Sequence, residues 1–519
     1  MLTELAVSEA TIESSLKPFL LVLAVSLSVA TLPQFFGWFR RIPYTLLLVI
    51  VGLGLAFVDV RLVNLSPELI LSIFLPPLLF EAAWNLKWSD LKQQWIPIGL
   101  YAVFGVVISI AGVALGLHYL ASLSLTTALL IGASLSATDP VSVIALFREL
   151  GVDKRLSTVM EGESLFNDGM AVVAFSFLVA LPLGTATLSA QSVLTQFFVV
   201  VGVGVAVGSL IGFSISYLTQ RFDLPLVEQS LTLVSAYATY LIAEDLGGSG
   251  VIGVVITGLV LGNFGSRIGM NPRTRIIVTE FWEFLAFFVN SIVFLLIGDQ
   301  IRFSVLGVSW QAIAVTLLGM ILARAIAVYG LGRLSNSLTQ TDLSTQEQTL
   351  IWWGGLRGSV AIALALSVPD ALPERQAIIA VVFGVVLFTL LVQGLTIKPL
   401  LEVLNLLGDQ PLRQQYAEVI ARLTALDRVL AYLRQVEHRP GIEPEFYRYQ
   451  ESLVKGEIER LTQEAEQLQI EYPDLNEFVN NQLREELLAI EAETYAELVQ
   501  AGQLNQELAP LLHPEGDHQ

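Results

Sequence analysis

Apolar runs of about twenty residues, bounded by glycine, proline or charge, recur along most of this 519-residue chain. A run of that length crosses the ~30 Å hydrocarbon core of a bilayer as one helix. Approximate limits are 17–36, 43–60, 67–85, 96–120, 125–147, 158–184, 192–219, 227–246, 249–264, 278–299, 306–333, 349–368 and 375–404, about thirteen spans. Only 14% of residues are charged, so an all-α polytopic membrane protein is expected.

An odd number of spans puts the termini on opposite sides, and basic residues decide which way round. With the tail cytoplasmic, twelve basic residues (Arg40, Arg41, Lys87, Lys92, Arg148, Lys154, Arg155, Arg221, Arg267, Arg273, Arg275 and Arg333) fall in cytoplasmic loops, against Lys17, Arg61, Arg302 and Arg375 outside. The opening MLTELAVSEATIESSLK is acidic and lacks the basic-then-apolar pattern of a cleavable signal, so the first run is expected to stay as a helix with the N-terminus outside. From Asn405 the composition changes to Glu, Gln, Leu and Arg, and 22 acids against 9 bases carry −13 of the net charge of −19. Leu423, Leu426, Leu430 and Leu433 recur at amphipathic-helix spacing, and Gly441 and Pro473 punctuate the remainder of the tail. Residues 1–404 are therefore read as the membrane domain. Residues 405–519 are read as a cytoplasmic tail of two to four helices, self-packed or paired with another copy, either regulatory or merely solvated.

Cysteine is absent, which excludes disulfides and thiolate chemistry. Four histidines, His118, His438, His513 and His518, show no metal-ligand spacing, and nothing is basic enough to hold nucleic acid. No cofactor is expected.

Within this apolar background, EGESLFNDGMAVV at 161–173 places acids, a serine and an asparagine at the mouth of a span. A carboxylate at mid-bilayer costs about 2.5–3.5 kcal/mol on insertion scales, so such acids line wet paths and have partners. Glu163 and Asn167 are four apart, as are Ser164 and Asp168, so all four share an arc of one helix face. Their oxygens are hard ligands suited to a small cation, and a carboxylate that binds a cation can instead bind a proton. The plainer alternative is a polar cap on a helix N-terminus, accepted for Glu161 but less suited to Asp168, about two turns in.

Two spans are interrupted. Thr138-Asp139-Pro140 falls inside span five, where Pro140 removes a backbone donor and biases Asp139 away from helical angles. Gly354, Gly355, Arg357 and Gly358 fall inside span twelve. If spans one to six and eight to thirteen are inverted repeats, these two occupy corresponding positions, the usual pointer to a transporter's midplane site. Asp139 and Arg357 can offset the partial charges of the half-helix ends.

FLPPLLFEAA at 74–83, ATDPVSV at 137–143, EGESLFNDGMAVV at 161–173, RAIAVY at 324–329 and GGLRGSVAIALAL at 354–366 follow one another in an order that resembles the monovalent cation/proton antiporter family. The similarity is to the branch shared by NhaP-type bacterial antiporters and eukaryotic sodium/proton exchangers, and it does not cover the tail. It implies a homodimer in which a scaffold domain stays fixed while a six-helix core, containing crossed broken helices from spans five and twelve, carries the ion. It implies that Asp168 holds cation and proton in turn, with Ser164, the Thr138 main chain and Asp139 completing the shell. Glu81 either contributes to that site or is an interfacial charge near the end of span three. The resemblance makes Glu163 structural, paired with Arg324 and steadied by Asn167. Arg324 has apolar sequence on both sides, so it needs an anion, or else snorkels to the interface. Pro140, Gly355, Arg357 and Gly358 support the breaks.

The expected function is secondary exchange of Na+ or Li+ for H+, without catalysis, in a bacterial inner membrane in the service of pH homeostasis. In this family the Asn167-Asp168 dipeptide goes with electroneutral one-for-one exchange. A K+- or Ca2+-selective proton antiporter and a cation channel are the alternatives. An intramembrane aspartyl protease using Asp139 and Asp168 lacks the paired motifs such enzymes carry. Trp84, Trp88, Trp95 and Trp310 are read as membrane-belt aromatics.

Overall fold

A computed structural model describes residues 20–472, apart from 33–34, 37–41, 59–61, 63–65, 183–189, 222–223, 340–342, 373, 408–409 and 437–442, together with scattered positions from 480 to 498. Lys17, Arg40, Arg41 and Arg61 of the topology count, the side chain of Arg267, the start of the first expected span, and Gly441, Pro473, His438, His513 and His518 lie outside the described residues.

Among the described residues every regular element is helical. In chain order they are α1 (Leu20–Leu32), α2 (Tyr44–Phe57), α3 (Leu69–Asn85), α4 (Trp88–Gln93) and α5 (Trp95–Leu120). Next come α6 (Leu125–Ser134), α7 (Val141–Leu150), α8 (Lys154–Ala180), α9 (Ala190–Thr219) and α10 (Pro225–Asp245). They continue with α11 (Gly250–Val260), α12 (Pro272–Asp299), α13 (Phe303–Val308), α14 (Trp310–Leu338), α15 (Thr345–Trp353), α16 (Ser359–Leu366) and α17 (Arg375–Val403). Six of these stretches are long and apolar enough to cross a membrane: α5, α8, Leu194–Thr219, Arg273–Asp299, α14 and α17. The expected span 227–246 falls on α10, an unbroken helix of 21 residues that is less apolar, and the other expected spans fall on shorter helices or on the broken pairs α6–α7 and α15–α16. In α3, Pro76 and Pro77 open a new α-helical segment after a π-helical stretch, Leu69–Phe74.

Local chemistry sets the helix starts. Asp153 caps α8, accepting from the Arg155 backbone at 2.7 Å. That places the start at Lys154, so Asp168 lies about four turns in, not two, and Glu161 does not cap a terminus but pairs with Arg148 at 3.4 Å. Ser344 and Glu347 form a capping box at the start of α15, and Glu347 also pairs with Arg155. Trp84 is not a belt aromatic: it is 5% exposed and its indole donates to Thr279 at 3.0 Å. Trp88, Trp95 and Trp310 are exposed.

The tail is a separate compact unit. Within it, α18 (Gln410–Val436) and α19 (Pro444–Glu471) pack antiparallel around Tyr416, Val419, Leu461, Ala465 and Leu468, with Leu423 and Leu426 against them. The Gln469 amide donates to the Tyr416 hydroxyl at 2.8 Å.

Candidate functional site

Two helices are broken inside the bundle, between α6 and α7 and between α15 and α16. The extended segments cross in contact: the Asp139 backbone N–H donates to the Leu356 carbonyl at 2.8 Å. Broken helices leave backbone groups without intrahelical partners, and these must be satisfied away from water. Side chains of the same segments do much of this. The fully buried Arg357 donates to the Ala137 carbonyl at 3.1 Å and the Ser136 carbonyl at 3.5 Å, just past the C-terminal end of α6. Asp139 accepts from the Val141 N–H at 3.1 Å, at the start of α7, and lies against Gly358, the N-cap of α16. The base therefore faces a helix C-terminus and the acid faces two N-termini, the favourable sense for both dipoles.

Gly358 and Gly355 are required by close approach. A Cβ on Gly358 would overlap the Asp139 carboxylate, and one on Gly355 would overlap the Arg324 guanidinium.

α8 runs past the crossing and presents its polar face to it. Ser164 donates to the Thr138 carbonyl at 2.5 Å. Asn167 accepts from the Thr138 N–H at 3.1 Å and donates to the Thr138 hydroxyl at 2.7 Å. Its amide thus serves the break in α6–α7 rather than Glu163. Glu163 instead turns to Arg324 of α14, whose Nη1 and Nη2 reach its two carboxylate oxygens at 2.9 and 3.3 Å. Arg324 also donates to the Ile351 and Trp352 carbonyls at 2.9 and 3.2 Å, closing the last turn of α15. With its side chain 10% exposed, Arg324 is held in the protein rather than reaching out to an interface.

Asp168, one turn beyond Ser164, is left facing a cavity of about 370 Å³ that it lines with Thr138, Asp139, Ser164 and Glu81. Its carboxylate makes no hydrogen bond among the described residues, and its charged neighbours are Asp139 and Arg357. Glu81, one turn inside α3, accepts from the Asn85 amide at 2.6 Å and faces the same cavity. The cavity is also lined by Tyr44 of α2 and by Glu283 and Asn290 of α12, which reasoning from sequence passed over. Glu283 and Asn290 are seven apart in a mostly apolar span, a spacing that puts both on one face and could have flagged them.

Carboxylate, hydroxyl and carbonyl oxygens thus converge at the floor of one cavity, a set suited to a hard cation. Among the described residues no three acidic or histidine side chains converge as they would around a resident metal.

Residues 23–403 match the family model described as sodium/hydrogen exchanger, transmembrane. Over 513 residues the chain is 62% identical to the Na(+)/H(+) antiporter ApNhaP of Aphanothece halophytica, covering 99% of this chain and 98% of that protein. It is 59% identical to the low-affinity Na(+)/H(+) antiporter NhaS1 of Synechocystis sp., over 98% of this chain and 97% of the other. Its fold is similar to that of the sodium proton antiporter MjNhaP1 from Methanocaldococcus jannaschii, with a TM-score of 0.63 at 22% identity, covering 76% of this chain and 99% of that one.

Proposed function

The chain belongs to the sodium/hydrogen exchanger family, and on that footing we propose that it is a membrane transporter, not an enzyme, exchanging Na+ or Li+ for H+ at Asp168. The observation that carries this is the position of Asp168: a carboxylate free of hydrogen bonds among the described residues, at a cavity floor beside the crossing of two broken helices. A proton and a cation compete for that carboxylate, so each expels the other. Asp139, Ser164 and the Thr138 carbonyl supply further oxygens to the cation, and Glu81, which lines the same cavity, contributes to the ion site. Glu163 and Arg324 hold α8 to α14 and take no ion.

Antiport follows if the occupied site crosses the barrier and the empty one does not. A protonated acid or a cation-paired carboxylate is tolerable in apolar surroundings, whereas a bare anion is costly. The remaining parts of the proposal are thirteen spans in two inverted repeats, a homodimer, a cytoplasmic tail with the N-terminus outside, and one-for-one electroneutral exchange at the bacterial cell membrane. The two broken helices support the repeat, and Asn167, a neutral residue serving Thr138, supports the stoichiometry by leaving Asp168 as the one acid of that pair.

Proton movement in sealed vesicles, on adding Na+, Li+, K+ or Ca2+ with the membrane potential clamped, tests the proposal. Wild type should move protons with Na+ or Li+ at a rate indifferent to potential, and Asp168→Asn should fold and move none. A fully active Asp168→Asn protein would sink the proposal. Cation flux without protons would make the protein a channel, and a response only to K+ or Ca2+ would overturn the choice of ion.

A further inference from the structure

Past the C-terminal end of α12, beyond the stretch that lines the Asp168 cavity, two arginines share a cleft. α12 follows nine residues after Asn263, which accepts from the N–H of Trp88, the first residue of α4, at 2.7 Å. Its 28 residues then run about 42 Å to Asp299. Just beyond, a cleft of about 200 Å³ lies between the α12–α13 connection and the facing ends of α16 and α17. Arg302 and Arg375 line it together with the apolar Val305, Leu306, Ile379 and Phe383.

The two arginines differ in what they already do. Arg375 donates through Nε to the Val368 carbonyl at 2.7 Å and through Nη2 to the Leu366 carbonyl at 3.1 Å, fixing the end of α16. It also meets Asp370 at 3.2 Å, a carboxylate 94% exposed and held by nothing else among the described residues. Arg302 is exposed and its side chain has no hydrogen-bond or ion-pair partner among the described residues. Around it the surface is apolar: Phe303 is 46% exposed, Val308 87% and Trp310 67%.

Two guanidinium groups over apolar walls, beside exposed aromatic and aliphatic side chains, match a ligand with an anionic head and hydrocarbon tails. We propose that this cleft binds an anionic phospholipid of the adjoining leaflet, its phosphate bridging Arg302 and Arg375 and its acyl chains lying over Phe303, Val308 and Trp310. Guanidinium pairs phosphate through parallel N–H···O bonds, and basic pockets between membrane helices are lipid headgroup sites. Asp370 competes with the phosphate for Arg375. Because Arg375 also holds the end of the short helix whose other end sits at Asp139, the bound lipid steadies α16 where it meets the ion site.

The test uses the full chain, purified in a neutral detergent, with thermal stability followed on titration of phosphatidylglycerol, of an uncharged glycolipid and of inorganic phosphate. Phosphatidylglycerol should stabilise the wild type saturably, and the other two should not. Arg302→Gln, which removes no bond seen in the fold, should keep the lipid-free stability and need at least about tenfold more lipid for half-saturation. Asp370→Asn should need less lipid than wild type. Equal lipid dependence of Arg302→Gln and wild type would overturn the site, as would no stabilisation by phosphatidylglycerol. Stabilisation by inorganic phosphate alone would leave a small-anion site and overturn the lipid. None of these readouts depends on transport.

Discussion

Glu163 and Asp168 are five residues apart on α8, yet their surroundings give them different work. Glu163 is matched by a two-pronged contact to Arg324, whose Nε and Nη2 also bond the end of α15. Losing one member of such a buried pair leaves an uncompensated charge, at about 3–5 kcal/mol. Glu163→Leu and Arg324→Met should therefore each lower the thermal midpoint of the purified protein sharply, and the double variant should regain much of the loss. A double variant less stable than either single one would show that the pair is not the reason both charges are tolerated. The need of Arg324 for an anion was legible from its apolar flanks, whereas the partner of Asn167 was not. That amide is taken by a turn of backbone which becomes available only where the ladder breaks at Pro140.

At the scale of elements, the crossing of two broken helices is the feature on which the site depends. Its tolerances are narrow because a carboxylate and a glycine Cα occupy adjacent space, so Gly358→Ala must push Asp139 aside or part the segments. The expected outcome is loss of Na+-driven proton movement with helix content unchanged by circular dichroism. Normal flux in Gly358→Ala would mean that the contact is not needed for transport. Pro140 and the glycines at 354–358 announced both interruptions, since each weakens the i to i−4 ladder. That the interruptions meet each other, through Asp139 and Leu356, could not be read from residues more than two hundred positions apart.

For the whole molecule, the membrane bundle and the acidic tail are separate compact units, each with its own core. The site lies entirely in the first, and the family match also ends at residue 403. A protein ending at Leu407 should insert and retain cation-coupled proton movement in vesicles. A folded but inactive truncated protein would make the tail part of the transport machinery. A changed rate or pH dependence with coupling intact would give it a regulatory role.

Local and compositional properties were settled by the sequence alone. Apolar run length marks membrane helices, proline and glycine mark where they break, and a charge inside an apolar run marks a place that needs a partner. Those rules act over a few residues, so they can be applied to letters. Assignment of partners was left to the tertiary structure: Arg324 to Glu163, Asn167 to Thr138, Arg357 to the end of α6, Trp84 to Thr279, and Tyr44, Glu283 and Asn290 to the cavity wall. Such pairings depend on which distant helices pack together, and a buried polar group accepts whichever complementary group the packing brings within hydrogen-bond reach.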